Sequence, residues 1–151
     1  ETISNKEKLQ QVVEELIKIS NKIKVLFILH PPTRVALKKN NLYHLLEQES
    51  ACQLLPRLGF FEFNQILRKA AFIITDGGSN QEECFYLGAP CLLFRNETER
   101  MEGLNSNAVL SKFNTAIIDD FVANYSIYKK APVLKSISPS SFIVDQLKEF
   151  I

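Results

Sequence analysis

Phe72-Ile73-Ile74-Thr75-Asp76-Gly77-Gly78-Ser79-Asn80-Gln81-Glu82-Glu83-Cys84-Phe85-Tyr86-Leu87-Gly88-Ala89-Pro90-Cys91-Leu92-Leu93-Phe94 is the stretch on which the reading of the fold turns. Phe72 to Thr75 is uncharged and β-branched or aromatic, as a strand covered on both faces would be. Ser79 to Leu87 reads as a helix, and Gly88 stands where a left-handed residue would close it. Cys91 to Phe94 is a second apolar strand. Strand, helix and strand in this order form a parallel β-α-β unit.

The same alternation extends in both directions. Upstream, Phe63 to Ala70 reads as a helix with Ile66 and Leu67 turned inward, and Cys52 to Leu55 as a short strand. Thr33 to Leu46 is a helical stretch broken near Asn40-Asn41. Val25 to Leu29 is another continuous apolar strand, expected to be covered on both faces and stopped by His30-Pro31-Pro32. Before it, Leu9, Val12, Val13, Leu16 and Ile17 recur at helical steps, behind a Ser4–Glu7 capping box. Downstream, Ala116 to Ile118 is expected to be a strand, and Asp119 or Asp120 to cap a helix toward Tyr128. Pro139 to Ile151 reads as a last helix. The expected architecture is α/β and doubly wound, a mainly parallel sheet with helices on both faces, forming one domain over residues 1–151.

Length and composition agree with that. A chain of 151 residues, 46% hydrophobic and 23% charged, can bury one core. Eighteen Lys and Arg against 17 Asp and Glu leave a net charge of +1, without the basic face that nucleic-acid binding requires. No apolar run approaches a membrane span, and Glu1-Thr2-Ile3-Ser4-Asn5 has neither region of a signal peptide. Cys52, Cys84 and Cys91 are an odd set without C-x-x-C spacing. They read as small core residues rather than a disulfide framework or zinc site, and a reducing cytoplasm is the expected compartment.

Ligands of open α/β sheets sit beyond the carboxyl ends of the strands. After Thr75, Gly77 and Gly78 let backbone amides approach a ligand without a Cβ in the way, and a helix start presents unpaired amides and partial positive charge. Such a turn suits a phosphate or diphosphate. It is equally a tight strand-to-helix turn in which Ser79 caps the helix and Glu82 completes a capping box. Glu82 and Glu83 diverge by about 100° on a helix, so only one can face the cleft and accept hydrogen bonds from sugar hydroxyls. Arg95 and Arg100 could hold phosphate or sugar oxygens as forked donors, or pair with Glu97, Glu99 and Glu102 on a solvated loop. His30, at another strand end, is either a polar loop residue or a cleft contact.

Thr75-Asp76-Gly77-Gly78-Ser79-Asn80-Gln81-Glu82-Glu83, Leu87-Gly88-Ala89-Pro90 and Arg95-Asn96-Glu97-Thr98-Glu99-Arg100-Met101-Glu102-Gly103 together resemble the non-hydrolysing bacterial UDP-N-acetylglucosamine 2-epimerases. That family reads T-D-S-G-G-x-Q-E-E, L-G-x-P and R-x-x-T-E-R-P-E, and the spacing matches from Thr75 to Gly103 without a gap. The resemblance implies a Rossmann-like domain, the C-terminal half of a two-domain glycosyltransferase-B arrangement that holds most of the UDP. By position, Gly77, Gly78 and Ser79 fall on the diphosphate loop, Glu83 on the glutamate that binds the ribose, Arg100 on the arginine facing the nucleotide sugar, and Phe63 on the aromatic beside uracil. His30 matches a histidine near the cleft where a second, activating substrate binds, and Arg95 borders the same cleft. Here Ser79 follows the glycine pair instead of preceding it, Met101 replaces a proline, and N-P-Y-G-D-G is missing near the end. These departures suggest a divergent member, with another 2-acetamido sugar as a possible substrate.

The implied reaction is inversion at sugar C2 by elimination and re-addition of UDP, interconverting UDP-N-acetylglucosamine and UDP-N-acetylmannosamine for surface polysaccharides. The resemblance implies no metal or redox cofactor. It places the proton-transfer carboxylates in an N-terminal domain not represented in this sequence and the histidine and arginine of an H-R-x-E-N motif immediately upstream of Glu1, and implies a homodimer for the two-domain protein. The rival expectations are the donor domain of a UDP-sugar glycosyltransferase and a non-catalytic nucleotide-sugar module.

Overall fold

In the computed structural model, residues 2–133 and 139–148 are described. The first helix, α1 (Lys6–Ser20), is capped by Asn5, whose side-chain oxygen accepts the Lys8 N–H at 3.0 Å. Ser4 belongs to a preceding 3-10 turn, so the expected Ser4–Glu7 box does not form; Glu7 serves the first turn through the helix dipole instead. Strand β1 is Val25–Leu29, as expected. Pro31 and Pro32 not only end it but open α2 (Pro31–Lys39), because the first helical turn needs no N–H donors. Asn41 adopts a left-handed φ of 56°, separating α2 from α3 (Tyr43–Gln48).

Strand β2 (Cys52–Pro56) leads to α4 (Phe60–Lys69), which begins earlier than the apolar pattern indicated. Its start is set by Glu62, whose carboxylate accepts the Gly59 N–H at 3.1 Å. Then follow β3 (Ile73–Thr75), α5 (Gly78–Leu87), closed by Gly88 at φ 65°, and β4 (Cys91–Leu93). The next strand, β5, is Ala108–Leu110, where none was expected. Ala116 to Ile118, expected to be a strand, lies instead in α6 (Thr115–Asn124). Asn114 caps that helix, accepting from the amides of Ala116 and Ile117 at 2.9 and 3.4 Å, so Asp119 and Asp120 fall inside it rather than at its start. Helix α7 is Pro139–Lys148; residues 149–151 of the expected last helix lie outside the described residues.

All strand pairs are parallel. Val25 to Leu29 lie opposite Cys52 to Pro56, and β3, β4 and β5 pair in that order with Ile73, Cys91 and Ala108 in register. The two hydrogen-bonded groups share a core, for Val12, Val25 and Ile74 pack both against buried Leu9, Val13, Leu16 and Leu29 and against buried Ile19, Leu92, Ile118 and Phe121. Alternate residues of a strand face opposite layers, and β4 separates them: Leu92 joins Ile19, Ile118 and Phe121 on one side, while Cys91 and Leu93 join Leu67 and Cys84 on the other. Helices therefore cover both faces at the middle of the fold. At β1 the covering is incomplete. Leu26 keeps 41% of its surface exposed, contrary to the expected two-sided burial. All three cysteines are buried and free. Among the described residues no helix is long and apolar enough to cross a membrane.

Parallel pairing places the carboxyl ends of β3, β4 and β5 at one edge. The turn after Thr75 and the loop after Phe94 meet there.

Candidate functional site

Thr75 ends β3 buried, and its hydroxyl accepts the Gly77 N–H at 3.0 Å and Asn80 Nδ2 at 2.9 Å. These two bonds turn the chain from strand to helix and make Gly77, in extended conformation, the residue before α5. Ser79 is exposed in the first turn and does not cap, so the capping box with Glu82 is absent. The Gly77 amide is thus already engaged. The amides of Gly78, Ser79 and Asn80 precede the first helical bond, from Gln81 N–H to Gly77 O at 3.2 Å, and donate to no protein group among the described residues. They form an anion-accepting helix mouth, displaced one residue from where the glycine pair alone would put it.

The two glycines differ in another respect. A methyl group on Gly77 would meet nothing closer than 3.5 Å, whereas one on Gly78 would stand 2.9 Å from Glu99 Oε1 and 3.2 Å from Arg100 Cγ. Gly78 is therefore what lets the 95–102 loop close over the helix mouth. In that loop Arg100 donates to Glu82 Oε2 at 2.7 Å, and Arg95 pairs with Glu99 at 3.0 Å. The Glu99 carboxyl is held below the ordinary carboxylate range by its own backbone N–H and by Arg95. Both arginines thus have carboxylate partners, at exposures too high for the pairs to stabilise the fold much.

Glu83, the next residue on α5, is partly buried, and its Oε2 is a buried atom with no hydrogen-bond partner among the described residues. Burial first, then the neighbouring Glu82 charge, raises its pKa above the ordinary glutamate range. The native state then holds this proton more tightly than the unfolded chain does. Its ionisation consequently costs stability as pH rises through the window above the ordinary value, and the cost disappears below it. Glu83→Gln is expected to be more stable than the parent at neutral pH, with the difference closing in acid. Paired denaturation curves at neutral and acidic pH test this; a variant less stable than the parent at neutral pH would refute it.

Of the remaining candidates, Phe63 lies on α4 half-buried against the cluster containing Leu67, Cys84 and Leu93. His30 is exposed at the end of β1, where it precedes α2 and its imidazole caps nothing. The structure thus brings Gly78, Ser79, Glu82, Glu83, Arg100 and Arg95 to one edge and leaves His30 at a different strand end.

Two buried carboxamides escaped the sequence reading. Gln81 is fully buried, donating to the carbonyls of Arg100 at 3.1 Å and Glu102 at 2.8 Å, and accepting from Thr98 Oγ1 at 2.8 Å. Asn107 donates to the carbonyls of Cys84 at 3.0 Å and Ala89 at 2.7 Å, tying the end of α5 to β5. The groups they donate to are distant main-chain carbonyls, which carry no local signature.

A parallel α/β fold with unpaired helix-start amides, a facing arginine and a half-buried carboxylate at its strand ends is an arrangement suited to an anionic ligand. The chain belongs to the UDP-N-acetylglucosamine 2-epimerase family, whose model matches residues 1–131. It is 36% identical over 111 residues to the UDP-N-acetylglucosamine 2-epimerase of Methanocaldococcus jannaschii, an alignment covering 72% of this chain and 30% of that protein. It is 31% identical over 96 residues to the UDP-2,3-diacetamido-2,3-dideoxy-D-glucuronate 2-epimerase of Pseudomonas aeruginosa, covering 63% and 25%. The crystal structure of the M. jannaschii enzyme in complex with UDP-GlcNAc and UDP superposes with a TM-score of 0.83 at 27% identity, over 99% of this chain and 42% of that one. The matches span only 30% and 25% of the length of these two curated relatives.

Proposed function

We propose that this chain is the UDP-holding domain of a 2-epimerase acting on a UDP-2-acetamido sugar, working with a proton-transferring domain that lies in the part of the relatives it does not span. The observation that carries the reading is the free amide row Gly78–Ser79–Asn80 beneath Arg100, beside the unpartnered Glu83 oxygen. The amides and Arg100 receive the diphosphate. Glu83 accepts hydrogen bonds from the ribose hydroxyls, and Phe63 offers a ring edge to uracil. In an elimination that takes the proton from C2 and breaks the C1–O bond to UDP, followed by reprotonation at C2 and re-addition of UDP at C1, UDP must remain bound while detached, and its charge is greatest then. Fixed amide dipoles and a guanidinium stabilise that departing charge without reorganisation, which lowers the barrier. Glu83 would thus be a ligand group held at a cost to the fold.

Family membership supports the 2-epimerase chemistry, and the P. aeruginosa relative supports a sugar range wider than UDP-N-acetylglucosamine. We place the protein in the cytoplasm, where three free buried thiols persist reduced, and in surface polysaccharide synthesis as part of a homodimer. An NMR titration of the chain with UDP, UDP-N-acetylglucosamine and UDP-glucose tests the reading. Amide shifts are expected at Gly78 to Glu83 and at Arg100 with all three ligands, with differences among them reporting sugar contacts. No epimerisation is expected from this chain alone. Unperturbed Gly78 to Glu83 signals at saturating UDP would overturn the assignment, and turnover by the isolated chain would overturn the division of labour.

A further inference from the structure

We propose that Gln81, acting with Thr98, is a positioning residue that sets the guanidinium of Arg100 over the helix mouth; this rests on the UDP-binding reading above. A carboxamide offers two donors and one acceptor oxygen, and Gln81 sends all three functions to one loop: to the carbonyls of Arg100 and Glu102, and to the hydroxyl of Thr98. Thr98 then accepts the Arg100 N–H at 3.2 Å on the same oxygen with which it donates to Gln81. Both polar groups of the Arg100 peptide backbone are therefore tied to this one network. Among the described residues the segment has no regular secondary structure, and its remaining ties are the Lys112 N–H to the Arg95 carbonyl at 3.0 Å and the partly exposed pairs Arg95–Glu99 and Arg100–Glu82.

The side chain of Arg100 leaves a backbone fixed in this way and passes over Gly78 toward Glu82. Only a carboxamide completes the network. A carboxylate at position 81 would set oxygen against two carbonyls, and an aliphatic side chain would leave both of them unpaired in the interior. Hydrogen bonding on this scale is enough to hold a loop that a diphosphate must find already in place.

Thr98 is the better site for the test, because it is only partly buried whereas a change at fully buried Gln81 would endanger the fold. Thr98→Val removes the hydroxyl at nearly constant shape, and Thr98→Ser keeps it. UDP affinity of the parent and both variants is measured by NMR titration, together with the Nε–H signal of Arg100 in the absence of ligand. Thr98→Val is expected to bind UDP about tenfold more weakly and to shift or broaden the Nε–H signal. Thr98→Ser is expected to retain both properties within twofold of the parent. A Thr98→Val chain that matches the parent in both readouts overturns the inference, as does a Thr98→Ser chain as weak as the valine variant. A parent chain that does not bind UDP overturns the proposed function itself, a result distinct from either.

Discussion

Gly88→Ala is expected to destabilise the fold by about 3–4 kcal/mol, a large share of the roughly 5–15 kcal/mol that holds a domain together. Two causes add. Gly88 closes α5 at φ 65°, a left-handed conformation that disfavours any residue bearing a Cβ by about 1–2 kcal/mol. The added methyl would also stand 2.2 Å from the carbonyl oxygen of Lys130 and 2.8 Å from its carbon, both backbone atoms. That segment cannot easily yield, because Lys130 N–H bonds Gly88 O at 2.9 Å and Val133 N–H bonds Tyr86 O at 2.9 Å. The helix end and the strap across it must separate for the methyl to fit. Gly77→Ala serves as the control: its φ is −98° and its nearest neighbour would be 3.5 Å away, so its stability should stay within about 0.5–1 kcal/mol of the parent. Denaturant midpoints of the two variants decide the matter. A Gly88→Ala chain within 1 kcal/mol of the parent would show that the strap moves freely.

Gly88 was legible from its place alone, between a helical stretch and Ala89-Pro90, and so was every strand whose apolar run met a proline or glycine. Val25–Leu29 before His30-Pro31 is the plainest instance. Ala108–Leu110 was hidden because it is three residues long and its edge position is defined by pairing with β4, a long-range fact. Ala116-Ile117-Ile118 has the composition of a strand, yet the Asn114 cap two residues earlier outweighs it; that asparagine was the local signal for a helix. At the site, the glycine pair and the acidic helix start could be read from spacing. Which glycine amide is free could not, because the answer depends on the Thr75 hydroxyl folding back onto Gly77. The grip of Gln81 on the loop was likewise invisible, since carbonyls 19 and 21 residues away have no side-chain identity to read.

Arg100→Ala is expected to weaken UDP binding about a hundredfold, the effect of removing a charge-assisted contact of about 2–3 kcal/mol. Without it the helix mouth keeps its free amides but also Glu82, Glu83 and the nearby Glu99, so the field met by an incoming diphosphate turns repulsive. The fold should hardly notice. The Arg100–Glu82 pair is 39% and 33% exposed, and a pair that open contributes at most about 1 kcal/mol. Affinity and stability therefore separate, and the loss can be assigned to the ligand contact. Arg100→Lys restores a point charge without the planar fork, and should recover part of the affinity if charge dominates and little if bidentate geometry does. Binding to the parent should also weaken with added salt more steeply than binding to Arg100→Ala, because the variant has one fewer charge to screen. UDP titrations of the three chains at two salt concentrations measure all of this. An Arg100→Ala chain that binds UDP within twofold of the parent, with the same salt response, would mean that the guanidinium stays with Glu82 when the nucleotide arrives and that the amides of Gly78 to Asn80 hold the diphosphate alone.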